Sequence, residues 1–186
     1  MIVIKLGGSL TQSGAVLACL DTIGKNYQGR AVVIVPGGGG FADQVRLSQQ
    51  AWRFDDQTAH AMAILAMQQM ALLFHSLKKQ FMLVPSVAAI GQRLAETNIV
   101  IWSPDVAELD QAGIPASWDI TSDSLAAWLA NTLSAEALVL VKSAAIDMQL
   151  TWQELARQGI VDNAFEHFAA QAVFPITLIN ARQFNG

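Results

Sequence analysis

Lysine and glycine are the residues whose placement in this chain could do chemistry. Lys5 interrupts an apolar run, Ile2 to Leu6, that ends in Gly7-Gly8-Ser9. A second apolar run, Ala31 to Val35, ends in Pro36 and the glycines Gly37, Gly38, Gly39 and Gly40. An ammonium group inside a buried segment is costly without a partner. At a strand end it either snorkels to solvent or reaches into a ligand site and steadies a transferring phosphoryl group. Glycines at strand ends let the backbone approach a ligand and reach positive φ, and N–H groups exposed ahead of a helix form an anion site. Two such loops suit a ligand carrying more than one phosphate or carboxylate.

Further on, Thr121-Ser122-Asp123-Ser124 opens a helix with Leu125, Ala126, Leu129, Ala130 and Leu133 on one face. Thr121 or Ser122 is the expected cap and Asp123 a first-turn acid that suits the helix dipole. An acid fixed there can also hold Lys5. Lys142-Ser143 closes the run Leu138 to Val141, so Lys142 is either a second phosphate contact or a solvated strand-end lysine. His60 reads as a polar-face helix residue rather than a base, and no cluster with metal-ligand spacing is visible.

The elements that must position these residues alternate. Strands are expected at 2–6, 31–35, 81–84, 99–102, 138–141 and 176–179. Helices are expected at 15–27, 41–52, 55–79, 87–96, 122–133, 152–158 and 163–171. In the longest, Ala59, Met62, Ala63, Ala66, Met70, Leu73, Phe74 and Leu77 repeat at helical spacing, with Asp55 and Asp56 as caps. The strands are apolar throughout, as strands buried on both faces are. The expected fold is α/β, a three-layer αβα sandwich with a mainly parallel central sheet in one domain, 1–186. In open sheets of this kind ligands gather at the carboxyl ends of the strands.

Composition narrows the class. The 186 residues are 53% apolar and 14% charged with a net charge of −4, which describes a globular chain. No basic stripe marks a nucleic-acid partner. The run Ala61 to Phe74 is interrupted by Gln68 and Gln69 and is shorter than the ~20 residues of a membrane span. A single cysteine, Cys19, fits a reducing, cytoplasmic compartment. Gly24-Lys25-Asn26 lacks the upstream glycine and the hydroxyl of a P-loop, and no G-x-G-x-x-G opens the first helix.

In order and spacing, four segments resemble the amino acid kinase superfamily: Lys5-Leu6-Gly7-Gly8-Ser9, Val35 to Ala42, Thr121 to Ala126, and Leu138 to Ser143. Phe41-Ala42-Asp43-Gln44-Val45-Arg46 and Ala59 to Gln69 are similar to the kinases of methanogens and methylotrophs that convert an aminomethylfuran-methyl phosphate to its diphosphate with ATP. The resemblance implies roles. Lys5 would contact the transferring phosphoryl group, and Asp123 would orient the lysine. Gly7, Gly8 and Ser9 would line the phosphate path, and Gly37 to Gly40 would hold the acceptor. Lys142 and Ser143 would lie near the nucleotide. The acceptor-binding part would span about 1–120 and a shortened nucleotide-binding part about 121–186. ATP with Mg²⁺ would be required, and a homodimer is expected.

Two features depart from the family. The Asp-Gly pair usual after the strand at 138–141 is missing, and no lysine follows Lys142. An ATP-dependent phosphotransferase for a small phosphorylated or carboxylated acceptor therefore has a rival: a noncatalytic binding module with a degenerate nucleotide site. A structural subunit whose Met62, Met67 and Met70 line a contact surface is a third reading.

Overall fold

The computed structural model describes residues 1–185. Six strands form one parallel sheet in the order β3-β4-β2-β1-β5-β6. They are β1 Ile2–Leu6, β2 Val32–Pro36, β3 Met82–Val84, β4 Ile99–Trp102, β5 Ala137–Lys142 and β6 Ile176–Asn180. The helices are α1 Ser9–Gln12, α2 Val16–Asn26, α3 Gly39–Trp52, α4 Asp56–Leu77, α5 Val87–Glu96, α6 Val106–Gln111, α7 Ser122–Thr132, α8 Trp152–Arg157 and α9 Phe165–Ala169. The expected α/β class and parallel sheet are both present. Neither α1 nor α6 is among the helices expected above; each is short, too brief for a periodic signal.

Alternation along the strands separates two cores. Val3, Val33, Val35, Leu138 and Leu140 face a layer containing Leu125 and Leu129 of α7 and Phe165 of α9. Ile2, Ile4, Leu6, Val32, Ile34 and Val141 face a second layer with Leu20 and Ile23 of α2, Phe74 of α4 and Phe184. The sheet is thus covered on both sides. Lys5 shares the parity of Val3, and Lys142 that of Leu138 and Leu140, so period-two geometry sends both toward the α7 layer.

β1 continues to β2 on one side, whereas β5 continues to β6 on the other. The reversal lies between β1 and β5, which pair directly, with Lys5 opposite Leu140 and Leu6 opposite Val141. A crevice is expected outside the strand ends at such a reversal.

The long helix corrects one expectation. Asp55 caps α4, its side chain accepting from the Thr58 N–H at 2.7 Å. Ala59, Ala66, Met70 and Phe74 are buried as expected, but the buried stripe also takes in His60, Ile64, Met67 and Ala71, while Met62, Leu73 and Leu77 are exposed. Small alanines permit more than one apolar face at helical spacing, and the sheet selected the one containing His60. Met67 and Met70 are core residues, not surface contacts. Among the described residues no helix is long and apolar enough to cross a membrane.

Candidate functional site

The two glycine loops meet backbone to backbone. After β1, the Gly7 N–H donates to the Val141 carbonyl at 3.0 Å, and the Gly37 N–H donates to the Leu6 carbonyl at 2.9 Å. A Cβ on Gly8 would sit 2.2 Å from the Gly39 nitrogen, and one on Gly37 would sit 2.5 Å from the Gly8 nitrogen. No side chain fits between them. Gly38 precedes α3 as its cap residue and Gly39 has φ +55. The first N–H groups of α3 have no acceptor within the helix, and the positive end of its dipole lies there.

A cleft of about 300 Å³ opens at this junction. Of the residues singled out in the sequence, it is lined by Lys5, Gly8, Ser9, Gly38, Gly39, Asp123 and Lys142. Gly7 and Gly37 lie behind the cleft and join the loops, Gly40 is exposed with open space where a Cβ would be, and Ser143 is at the outer rim. There Ser143 Oγ and Ser9 Oγ are 2.7 Å apart, a hydrogen bond across the β1/β5 reversal.

At the cleft floor one carboxylate holds two ammonium groups. Lys5 Nζ lies 2.8 Å from Asp123 Oδ1, with both side chains 4% exposed. Lys142 Nζ donates to Asp123 Oδ2 at 2.6 Å. Burial alone would raise the Asp123 carboxyl, but the charges of Lys142 and Lys5 outweigh it and hold the group down to about 2. Burial, reinforced by the Lys5 charge, depresses Lys142 to about 8 in spite of Asp123. Lys142 is therefore not a solvated strand-end lysine.

The cap of α7 is not the one expected. Thr121 is the cap residue by position, yet its side chain bonds no helix N–H. Asp162, from the segment between α8 and α9, does so instead. Its Oδ2 accepts the N–H groups of Thr121, Asp123 and Ser124 at 3.0, 3.1 and 2.9 Å, and its Oδ1 accepts the Thr121 hydroxyl at 2.5 Å. A carboxylate takes several donors at once, whereas one hydroxyl takes one or two. Nothing local in the sequence pairs position 162 with position 121.

His60 also departs from its expected place. It is buried on the cleft wall with no hydrogen-bond partner for Nε2. Burial pushes its imidazole down, partly offset by Asp110 and the Ser117 backbone. Beside it, Ala63, Ile64, Met67 and Ile120 make the wall apolar. At the mouth the Arg46 guanidinium lies 4.4 Å from the centre of the Trp118 ring, a cation–π distance. Trp118 Nε1 donates to Gln49 Oε1 at 2.6 Å, which fixes the indole. Arg46 lies in a quoted family segment, but Trp118 carries no motif, and only the fold brings it to the cleft.

The chemistry available is the binding of a polyanion. Backbone N–H groups, a helix N-terminus and two lysines converge, beside an apolar wall able to receive a small organic group.

Comparison with known proteins gives a family match and several similar folds. The family model described as the amino acid kinase family matches residues 1–145. The [5-(aminomethyl)furan-3-yl]methyl phosphate kinase of Methanocaldococcus jannaschii is 28% identical over 143 residues, which cover 75% of this chain and 64% of that relative, less than two thirds of its length. Among solved structures, uridylate kinase from Archaeoglobus fulgidus superposes with a TM-score of 0.74 at 17% identity, over 99% of this chain and 93% of that one. Aspartate kinase from Synechocystis gives 0.72 at 16% identity, over 100% of this chain and 38% of that one. At these identities the structural likeness concerns the fold.

Proposed function

The chain belongs to the amino acid kinase family, and from that premise we propose that it transfers a phosphoryl group from ATP to a small phosphorylated or carboxylated acceptor. The observation that carries the proposal is the Asp123 carboxylate held between Lys5 and Lys142 at the floor of a glycine-walled cleft. Bound there, ATP would supply the phosphoryl group. Among the described residues no group of three or more potential metal-ligating side chains converges, so Mg²⁺ would arrive with the nucleotide phosphates.

Phosphoryl transfer needs positioning and charge stabilisation rather than covalent catalysis. Lys5 and Lys142 would meet the charge that develops on the transferring group, and Asp123 would fix the angle between them. The α3 N-terminus and the N–H groups of the first loop would hold phosphate oxygens. An acceptor phosphate has a second pKa of about 6, so it is mostly ionised near neutral pH and attacks without a general base. That suits a site whose one histidine is pushed toward neutrality by burial. Lys142 also supplies the second ammonium group that no later lysine can provide.

For the acceptor we propose a furan-methyl phosphate or a molecule of similar shape, made into a diphosphate for a methanofuran-type cofactor. The relative's name and the apolar wall of Ala63, Ile64 and Met67 support this reading. A homodimer belongs to the same proposal, with the exposed Leu65 and Leu72 of α4 as surface for a second copy.

The test is a transfer assay with Mg-ATP and a panel of small phosphates and carboxylates that includes the aminomethylfuran-methyl phosphate. Diphosphate formation supports the proposal. The missing Asp-Gly pair favours the rival, a noncatalytic binding module. Calorimetry separates the two, since no heat at millimolar Mg-ATP is the result expected of the rival.

A further inference from the structure

We propose that Asp162 is a positioning residue of the phosphotransfer site. It occupies the anion-binding start of α7 and thereby fixes Asp123 between Lys5 and Lys142. The proposal rests on the kinase reading above, but the observation is separate, because Asp162 lies beyond residues 1–145, the part matched by the family model.

A helix N-terminus ordinarily attracts whatever anion is nearby. At α3 it faces the cleft without a side-chain cap. At α7 it is filled from within the chain, Asp162 taking three backbone N–H groups and one hydroxyl. One of those N–H groups is that of Asp123 itself, so the backbone bearing the lysine-binding carboxylate is tied directly to Asp162.

The anchor is stiff. Val161 and Phe165, on either side of Asp162, are buried in the same core as Leu125 and Leu129 of α7. The Ala164 N–H donates to the Asp119 carbonyl at 2.9 Å, and Asn163 Nδ2 donates to Asp119 Oδ1 at 2.7 Å. The segment leading into α7 is therefore fastened to one turn at two places, Asp119 and Thr121.

A simple cap would not need this arrangement. Burial and the neighbouring Asp123 charge both push the Asp162 carboxyl up, so the protein keeps two acids close together where a threonine hydroxyl could have capped the helix. The second acid also acts on the lysines. Those facing Asp162 and Asp123 are Lys5 from β1 and Lys142 from β5, and the Asp162 charge helps to keep Lys142 protonated.

The test uses the full chain with Asp162→Asn, which keeps shape and removes charge, and Asp162→Ala, which removes the acceptors. Two readouts are taken: steady-state kinetics, and the titration of Lys142 by NMR of ¹³Cε-labelled lysine, assigned by the loss of its signal in Lys142→Met. The Lys142 midpoint, about 8 in the parent, is expected to fall in both variants. Turnover is expected to drop roughly ten- to hundredfold in Asp162→Ala with both KM values little changed, as for a displaced catalytic group, and to recover partly in Asp162→Asn. A folded Asp162→Asn with the parental Lys142 midpoint and parental turnover, altered only in melting temperature, would overturn the proposal. The NMR readout needs no turnover, so a parental Lys142 midpoint in a folded Asp162→Asn overturns the link between Asp162 and Lys142 even if the assay panel contains no substrate.

Discussion

Replacing Lys142 with methionine separates the stability of the site from its activity. Methionine keeps the length and flexibility of the side chain and removes the charge. Lys142 titrates near 8 rather than at its ordinary 10.5. That gap of about 2.5 pH units, at about 1.36 kcal/mol each, places on the order of 3 kcal/mol against keeping the ammonium in the folded chain at neutral pH. The folded chain binds the Lys142 proton more weakly than the unfolded chain does. The penalty is therefore complete below pH 8 and is relieved as pH rises from about 8 to 10.5. Lys142→Met should equal or exceed the parent in stability at pH 7, by up to ~3 kcal/mol, and should lose the rise in stability across that window. On the proposed mechanism, turnover should fall by a comparable ~3 kcal/mol, roughly a hundredfold, as when a charge that meets the transferring group is removed. Urea unfolding at pH 7 and at pH 9.5, beside phosphoryl transfer at pH 7, measures both. A variant less stable than the parent, with the pH-dependent rise intact, would refute the energetic reasoning; unchanged turnover would remove Lys142 from the mechanism.

The remaining predictions concern the other parts of the cleft. Lys5→Ala should lower turnover by on the order of 3 kcal/mol with little loss of stability, measured by the same transfer assay and urea titration; unchanged turnover would exclude Lys5. Gly8→Ala should destabilise the chain strongly, since its Cβ would lie 2.2 Å from the Gly39 backbone, whereas Gly40→Ala, with open space around it, should be neutral or gain ~0.5 kcal/mol; thermal melts of the pair test whether the loops truly touch. His60→Leu should keep or raise the melting temperature, because it removes a buried nitrogen without a partner, and should raise the acceptor KM while leaving that for ATP unchanged.

Much of the site is legible in the chain read alone. The lysine within an apolar run, the two glycine loops and the acid at a helix start are local patterns with local physical causes: an ammonium needs a partner, a crowded backbone excludes Cβ, and a helix dipole favours a first-turn acid. Strand parity even places Lys5 and Lys142 on the same side of the sheet once β1 and β5 are paired in register. The long helix was less legible, because alanines blurred which face is apolar and hid His60.

The sequence by itself determined the α/β class, the parallel sheet and the loops at its carboxyl edge, since those follow from continuous apolar runs and from glycines at their ends. Tertiary structure alone decided that Lys142 is bonded to Asp123 instead of solvated, that Asp162 caps α7 across some 40 residues of chain, and that Trp118 and Arg46 share the cleft mouth. Each of these depends on which distant segments the sheet brings together. A carboxylate's preference for donors says nothing about which donors the fold will offer.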